Sequence, residues 1–180
     1  MAHIVMFTGG ARSGKSRLAQ ARLSSLDPVV YIATAEALDD EMKTRIRLHK
    51  SSRPVQWATI EEPLDLMAAM QNAMALKPQG ILIDCLTLWL SNHLLKKWDA
   101  GWTLESEDEV LALLQNALTS LTNTRSLEVV IVTNEVGSGI VPTNEMARAY
   151  RDLVGRTNQL CAALSNEVHW VTAGLSFRLK

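Results

Sequence analysis

Short apolar runs rich in β-branched residues alternate with stretches of helical periodicity along the whole chain. Such runs, bounded by Gly, Pro, Asn or Asp, predict buried β-strands. A short last run after the Ala173-Gly174 turn is predicted to pair antiparallel with the strand before it. The predicted strands are Ile4–Thr8, Val29–Ala33, Val55–Ile60, Ile81–Asp84, Val129–Thr133, Val168–Thr172 and Leu175–Leu179.

Between these runs, apolar residues recur every three or four positions, which is the period of an amphipathic helix. Strand–helix alternation of this kind predicts an α/β fold, in which a mostly parallel sheet is covered by helices on both faces. The near-continuous apolar character of the strands agrees, because both faces of such a sheet are buried. The predicted helices are Lys15–Leu26, Leu38–Lys50, Pro63–Ala75, Leu86–Leu95, Glu107–Thr122 and Glu145–Leu164.

The chain of 180 residues is predicted to form one domain, residues 1–180, because it is long enough to bury a full core and contains no repeat or linker. The segment Lys96–Ser106, which contains Trp98 and Trp102, is predicted to be an exposed loop. Its two tryptophans fit either a packing lid or a contact surface, and the sequence does not choose between them.

A phosphate-binding loop pattern, Gly, four residues, Gly-Lys-Ser, joins the first predicted strand to the first predicted helix. Glycines allow backbone N–H groups to point inward at phosphate oxygens, and the helix N-terminus adds positive charge at the same place. Lys15 can reach the β- and γ-phosphates, and the Ser16 hydroxyl can ligate Mg²⁺. The alternative is an ordinary Gly-rich turn. With the strand and helix around it, the pattern predicts a P-loop NTPase-type (RecA-like) fold and a nucleoside triphosphate site formed by Gly9, Gly10, Ala11, Arg12, Ser13, Gly14, Lys15 and Ser16.

The composition and net charge of the chain argue against several classes of partner and of cellular location. The net charge is −1, so there is no basic excess to hold a polynucleotide, and nucleic acid is not an expected partner. No signal peptide is recognisable, and no apolar run approaches the roughly 20 residues of a membrane span. Cys85 and Cys161 lack the spacing of a metal site or a redox motif. They are expected to be reduced core thiols of a cytoplasmic protein.

Asp84 closes the strand Ile81–Asp84, and ligands of an open parallel sheet bind where its strands end. An acid at this place is typical of P-loop enzymes, in which it holds the Mg²⁺ shell or orients the attacking hydroxyl. The alternative is a carboxylate that caps the following helix. Ser16 and Asp84 are therefore the candidate Mg²⁺ ligands.

His49 lies in the last turn of the helix predicted for 38–50, on one stripe with Leu38, Met42 and Ile46. One interpretation is a hydrogen-bonded histidine at the edge of the core. The other is a functional residue, because Lys50 and Arg53 lie beside it and suit a polyanion. A neutral imidazole is also a competent nucleophile toward phosphorus.

The remaining polar clusters are weaker candidates. The loop Asn134–Gly139 follows a strand and fits either a γ-phosphate sensor or a plain strand-to-helix turn. Three arginines of the last helix fit either phosphate contacts from a neighbouring subunit or a solvated face with Glu145 and Asp152. The other histidines are interpreted as structural. These residues are Arg148, Arg151 and Arg156, and His3, His93 and His169.

The chain resembles the bifunctional adenosylcobinamide kinase / adenosylcobinamide-phosphate guanylyltransferases of cobalamin synthesis. The likeness runs nearly end to end, although 89–126 matches poorly. It rests on Thr8–Arg17, Tyr31–Ala35, Asp39–Met42, Arg45-Ile46, His49-Lys50, Arg53-Pro54, Trp57, Glu61, Asp84–Thr87, Val132–Gly137, Gly139–Pro142 and Arg151–Gln159.

The resemblance implies two reactions. ATP or GTP phosphorylates the aminopropanol hydroxyl of adenosylcobinamide, and GMP from GTP is then transferred to adenosylcobinamide phosphate through a GMP–histidine intermediate. The family's histidine falls on His49, and some members have a second histidine where this chain has Leu48. Some members also have Glu in place of Asp84. The resemblance implies a homotrimer with sites near subunit interfaces, and it implies further nucleotide contacts at Ala33, Thr34, Ala35, Lys50, Ser51, Ser52, Arg53, Glu61 and Asp84.

Three hypotheses therefore stand at the level of sequence. The first is this bifunctional transferase. The second is a single-function P-loop small-molecule kinase in which His49 only packs. The third is a nucleotide-binding regulatory module without catalysis.

Overall fold

The computed structural model describes residues 1–37, 39–51 and 53–180. Within these residues, thirteen helices and strands have the types and the order that the hydrophobic pattern predicts. The strands are β1 (His3–Thr8), β2 (Val29–Ala33), β3 (Ala58–Glu61), β4 (Gly80–Asp84), β5 (Glu128–Val132), β6 (Glu167–Thr172) and β7 (Leu175–Arg178). The helices are α1 (Lys15–Leu23), α2 (Asp40–Ser51), α3 (Leu66–Ala75), α4 (Leu86–Trp98), α5 (Leu104–Ser120) and α6 (Glu145–Leu164).

The strands form one seven-stranded sheet in the order β3-β2-β4-β5-β1-β6-β7. Every pairing is parallel except that of β6 with β7, so the predicted antiparallel C-terminal pair is confirmed. The register aligns the strand ends: Ala33 lies opposite Glu61 and Asp84, and Val132 lies opposite Asp84 and Phe7. The polar residues that follow these strands therefore meet along one edge of the sheet.

Apolar residues on both faces of the sheet form two cores, because successive strand side chains point to opposite sides. On one face, Ile83 and Ile131 belong to a large cluster with residues of α3, α4, α5 and α6. On the other face, Val5 and Leu82 pack with Ala19 and Leu23 of α1. Among the residues that the structure describes, no helix is long and apolar enough to cross a membrane.

Several predicted boundaries differ from those of the structure, and two of these differences have identifiable reasons. Strand β3 begins at Ala58 rather than Val55, whose β-branched side chain lies in a turn and is 100% exposed. The predicted loop Lys96–Ser106 is mostly helical, because α4 continues to Trp98 and Thr103 caps α5 with a capping box. Trp102 packs against the large core cluster, which favours the packing alternative for this residue.

The carboxylate of Glu167 joins the start of β6 to neighbouring elements. It accepts hydrogen bonds from His3 Nε2 at 2.8 Å, His169 Nε2 at 3.1 Å and Arg22 at 3.2 Å. These contacts, with that of His3 the largest, lower the pKa of Glu167 to about 2.

We expect this carboxylate to make stability pH-dependent. A lowered folded-state pKa contributes stability that is present above the unfolded pKa of about 4.5 and is lost as pH falls toward 2. After allowance for solvent screening, the Glu167→Gln variant should lose on the order of 1–2 kcal/mol at pH 7 and little below pH 3. Urea unfolding at several pH values measures this. Glu109→Gln, which removes an exposed partner of Lys97, is the control. An equal loss at every pH would contradict the prediction.

Candidate nucleotide site

The loop between β1 and α1 is wrapped around the ammonium group of Lys15. Lys15 Nζ donates to Gly9 O at 2.9 Å, Gly10 O at 2.6 Å and Ser13 Oγ at 3.3 Å, and the residue is only 6% exposed. Burial, the largest influence, lowers the pKa of Lys15, and the nearby Cys85 and Asp84 groups oppose the shift. The predicted P-loop therefore has its lysine at its centre, close to the end of β4.

The turn between β6 and β7 packs against the P-loop and supports it. Gly174 N donates to Ser13 O at 2.9 Å, and Arg17 donates to Gly174 O at 3.3 Å. Gly9 and Gly14 have φ of 151° and 100°, and both lie against this hairpin. A Cβ added to Gly9 would lie 2.1 Å from Val171 O. The P-loop glycines thus serve both loop conformation and close packing.

We expect Gly9→Ala to destabilise the fold and Gly10→Ala to leave it nearly unchanged. At Gly9 the new Cβ meets backbone and the φ is unfavourable, whereas at Gly10 it meets no described atom within 4 Å. The strain alone should cost about 1–3 kcal/mol, to which the clash adds. Denaturant unfolding of the two variants measures the difference. Equal midpoints would show that the loop adapts freely.

A cleft of about 560 Å³ opens beside the P-loop at the carboxyl edge of the sheet. It is lined by thirteen of the predicted site residues, which come from the loop, the ends of β2, β3 and β4, and the end of α2 and the segment after it. They are Ala11, Arg12, Ser13, Gly14, Lys15, Ser16, Ala33, Ala35, His49, Lys50, Arg53, Glu61 and Asp84.

Asp84 faces the cleft, and its Oδ2 accepts a 2.7 Å hydrogen bond from the hydroxyl of Tyr31. The alternative that Asp84 caps α4 is wrong, because the cap residue is Cys85. Cys85 is buried, and burial raises its pKa to about 11, so its thiol stays protonated near neutral pH. Asp84 is therefore the acidic group that the end of β4 presents to the cleft.

The stripe on α2 faces the cleft rather than the core. Met42 and Ile46 are half-buried and line the cleft together with His49, which is exposed. The exposure of His49 and its position in the lining of the cleft favour the functional interpretation over that of a histidine at the edge of the core. Leu38, the first residue of the predicted stripe and helix, lies outside the described residues. The apolar period of α2 forms one wall of a site, with an imidazole on it.

Two contacts fix the chain around the end of α2. Lys50 forms an ion pair with Glu61 at the end of β3. The guanidinium of Arg53 lies over the ring of Tyr31, with 3.8 Å between Cζ and the ring centroid. The cations beside His49 are thus directed toward the sheet edge.

Four of the described candidates lie outside the lining of the cleft. The carbonyls of Gly9 and Gly10 accept from Lys15, and the hydroxyl of Ser51 donates to Leu48 O. Thr34 is fully buried, and its hydroxyl donates to Cys85 O at 2.7 Å. Ser52 lies outside the described residues.

The weaker clusters have structural partners. Asn134 lines the cleft and donates to Thr87 Oγ1 at 2.9 Å. Arg148 donates to two backbone carbonyls, whereas Arg151 pairs with Asp152, as the solvated-face alternative predicts. Arg156 instead pairs with Glu107 and Asp108 of α5.

The other three histidines are structural, as predicted. His3 and His169 contact Glu167, and His169 also stacks on Phe7. His93 contacts Leu64 O and packs edge-on against Trp89.

Sequence reasoning missed Tyr31, Arg17 and Leu88 as cleft residues. For Tyr31 the available signal was a hydroxyl in an otherwise apolar strand, two positions before Ala33 and hence on the same face. For Arg17 and Leu88 the only signal was position in the first turn of a helix that follows a sheet edge.

Solved structures of low sequence identity share the fold. A prototypical ATPase from the type III secretion system of pathogenic bacteria matches 98% of this chain and 56% of its own with a TM-score of 0.64 at 12% identity. A KaiC-like protein from Pyrococcus horikoshii OT3 matches 93% of this chain and 71% of its own with a TM-score of 0.50 at 13% identity. The predicted P-loop NTPase-type fold is confirmed.

Sequence relatives identify the family. A model of the cobinamide kinase / cobinamide phosphate guanyltransferase family matches residues 5–179. Bifunctional adenosylcobalamin biosynthesis proteins from Salmonella typhimurium LT2, Escherichia coli K12 and Pseudomonas aeruginosa PAO1 are 39%, 38% and 42% identical. The matches cover 97–98% of this chain and 96–99% of each relative. The chain therefore belongs to the bifunctional cobinamide kinase / cobinamide phosphate guanyltransferase family, which favours the first hypothesis over the single-function kinase and the regulatory module.

Proposed function

We propose that one cleft carries out both reactions, with His49 as the residue that takes up GMP. The substrates are adenosylcobinamide, which is phosphorylated on its aminopropanol hydroxyl by ATP or GTP, and adenosylcobinamide phosphate, which receives GMP from GTP. The observation that carries the proposal is that His49 and the P-loop line the same cleft. The imidazole on α2 and the loop that would hold the triphosphate thus border the same space.

In the kinase step, the protein mainly positions the reacting groups and neutralises the charge of the phosphates. The inward amides of the P-loop and Lys15 hold the β- and γ-phosphates. The substrate hydroxyl attacks the γ-phosphorus, the bond to the β-phosphate oxygen breaks, and the hydroxyl proton is released. Asp84, which is held by Tyr31, orients the reacting groups on the sheet side of the cleft.

In the guanylyl step, an imidazole nitrogen of His49 attacks the α-phosphorus of GTP, and pyrophosphate leaves. An oxygen of adenosylcobinamide phosphate then attacks the same phosphorus, and the N–P bond breaks, which returns the imidazole. Covalent capture divides one transfer into two displacements. Lys50, Arg53 and Glu61 border this end of the cleft, where the cations balance the charge of the transferred phosphate.

The donor set suits Mg²⁺. Within the described part of the chain, no group of three or more His, Cys, Asp or Glu side chains could hold a metal ion by itself. Mg²⁺ in phosphoryl-transfer sites usually has only one or two protein ligands besides phosphate oxygens and water. Ser16 and Asp84 both line the cleft and would be these ligands. The ion would neutralise charge on the phosphates.

We assign the nucleotide contacts to the predicted residues around the cleft and to the P-loop backbone. The aligned strand ends support this assignment for Ala33 and Glu61, and the lining of the cleft supports it for Ala35, whereas the fully buried Thr34 would act only by holding its neighbours in place. We also propose a cytoplasmic homotrimer that binds the two corrinoids and no nucleic acid. The net charge of −1 supports the last point.

The test uses GTP labelled at the α-phosphate, with γ-labelled GTP as the matched control. The protein is incubated with Mg²⁺, denatured and examined for bound label. We expect label from α-GTP only, in an acid-labile and base-stable bond, and we expect adenosylcobinamide phosphate to discharge it. Wild-type protein that phosphorylates adenosylcobinamide but never takes up α-label would overturn the histidine route.

A further inference from the structure

The side chain of Tyr31 connects two parts of the cleft. The residue lies in the middle of β2 and is only 1% exposed, yet its hydroxyl reaches the cleft and donates to Asp84 Oδ2 at 2.7 Å. The hydroxyl of Tyr31 therefore holds one oxygen of the carboxylate that the end of β4 presents to the cleft.

The aromatic ring of Tyr31 makes the second contact, which is with Arg53. The guanidinium carbon lies 3.8 Å from the ring centroid, a cation–π geometry. Arg53 lies two residues after the last residue of α2, and its backbone N–H donates to Lys50 O at 3.3 Å. The ring thus attaches the C-terminal end of the His49 helix to the sheet.

Packing alone does not call for a tyrosine here. Strand pairing aligns Tyr31 with Leu82, Val130 and Val5 across four neighbouring strands. All four residues belong to the same core cluster. Each of those neighbours is aliphatic. An aliphatic residue could pack at position 31, but it would bind neither Asp84 nor Arg53.

We propose that Tyr31 is a positioning residue that acts through two separate contacts. Its hydroxyl orients the Asp84 carboxylate toward the metal and the phosphates, and its ring holds Arg53, and with it the end of α2, so that His49 faces the α-phosphorus. The inference rests on the proposed function. It assigns the hydroxyl to both reactions and the ring chiefly to guanylyl transfer.

Two substitutions separate the contacts. Tyr31→Phe removes the hydroxyl and keeps the ring, whereas Tyr31→Leu removes both. Tyr150→Phe is the matched control, because the hydroxyl of this half-buried residue makes a similar 2.9 Å bond to Thr87 O but the residue lies outside the lining of the cleft. Circular dichroism verifies folding. If Tyr31→Leu does not fold, Tyr31→Met replaces it, since methionine also lacks a ring face.

The first measurement requires no turnover. Mn²⁺ binding is followed by electron paramagnetic resonance in the presence of a non-hydrolysable GTP analogue. Loss of a partner that orients a metal ligand typically lowers metal affinity about 10–100-fold. We expect a loss in this range for Tyr31→Phe, an equal loss for Tyr31→Leu and none for Tyr150→Phe. Unchanged Mn²⁺ affinity in Tyr31→Phe would overturn the assignment of the hydroxyl.

The second measurement compares the two reactions at saturating Mg²⁺. We expect Tyr31→Phe to lower kcat of both reactions by a similar factor. Tyr31→Leu should slow α-label uptake by about a further tenfold or more while adding little to the loss of kinase activity, because misplacing a nucleophile is costly. Equal losses of both activities in Tyr31→Leu would overturn the role of the ring. Failure of wild-type labelling would instead count against the proposed function, and the Mn²⁺ result is independent of it.

Discussion

Replacing His49 by alanine is expected to abolish guanylyl transfer while leaving phosphorylation of adenosylcobinamide largely intact. If the imidazole forms the bond to the α-phosphorus, its removal deletes the acceptor itself, and the rate should fall by at least about a thousandfold. The kinase step needs no covalent acceptor on the protein. Separate assays of the two reactions, together with α-label uptake, measure this difference.

Leu48→Ala is the matched control for His49→Ala. The residue adjoins His49 on α2, its side chain is 62% exposed, and it lies outside the lining of the cleft. We expect it to retain both activities. If His49→Ala still takes up α-label, another residue is the acceptor. If it loses both activities while remaining folded, His49 also serves the kinase step.

Replacing Lys15 by alanine should damage both reactions together. The ammonium lies at the centre of the P-loop, where it bonds two loop carbonyls, and it would meet the phosphates of whichever nucleotide is bound. Removing one fixed positive group from a water-poor site typically costs about a hundredfold to a thousandfold in kcat. We expect a loss of at least this size in each reaction, measured under saturating Mg²⁺.

Lys97→Ala is the control for this variant, since Lys97 is an exposed lysine that pairs with Glu109 on the surface. It should leave both rates unchanged. Intact guanylyl transfer in Lys15→Ala beside a lost kinase activity would mean that the reactions use separate nucleotide sites. Such a result would contradict the single-cleft proposal.

The sequence predicts most of the fold and the phosphate side of the site because those features have local causes. The P-loop spacing between an apolar strand and a helix predicts the position of Lys15, and a carboxylate at the end of a strand predicts the position of Asp84. Strand β3 shows the limit of such patterns. Val55 has the composition of a strand residue but is fully exposed in a turn.

The parts that the sequence does not predict depend on which strands are neighbours. Tyr31 contacts Asp84 because β2 pairs with β4 and Ala33 lies opposite Asp84, a register that no local pattern contains. The apolar stripe on α2 has the period of a core helix, and only its position in space shows that Met42 and Ile46 line a cleft. The support of the P-loop by Gly174 likewise joins segments far apart in sequence.

That last contact has a consequence for biosynthesis. The P-loop leaves the ribosome well before the segments that support it, because β1 lies between β5 and β6 and Ser13 is held by the turn at Gly174. Contacts of such long sequence separation form late, even though chains begin to fold from their N-terminal part during translation. A nascent chain that lacks the last two strands would therefore contain the complete Gly-Lys-Ser sequence but no rigid loop that can bind phosphate.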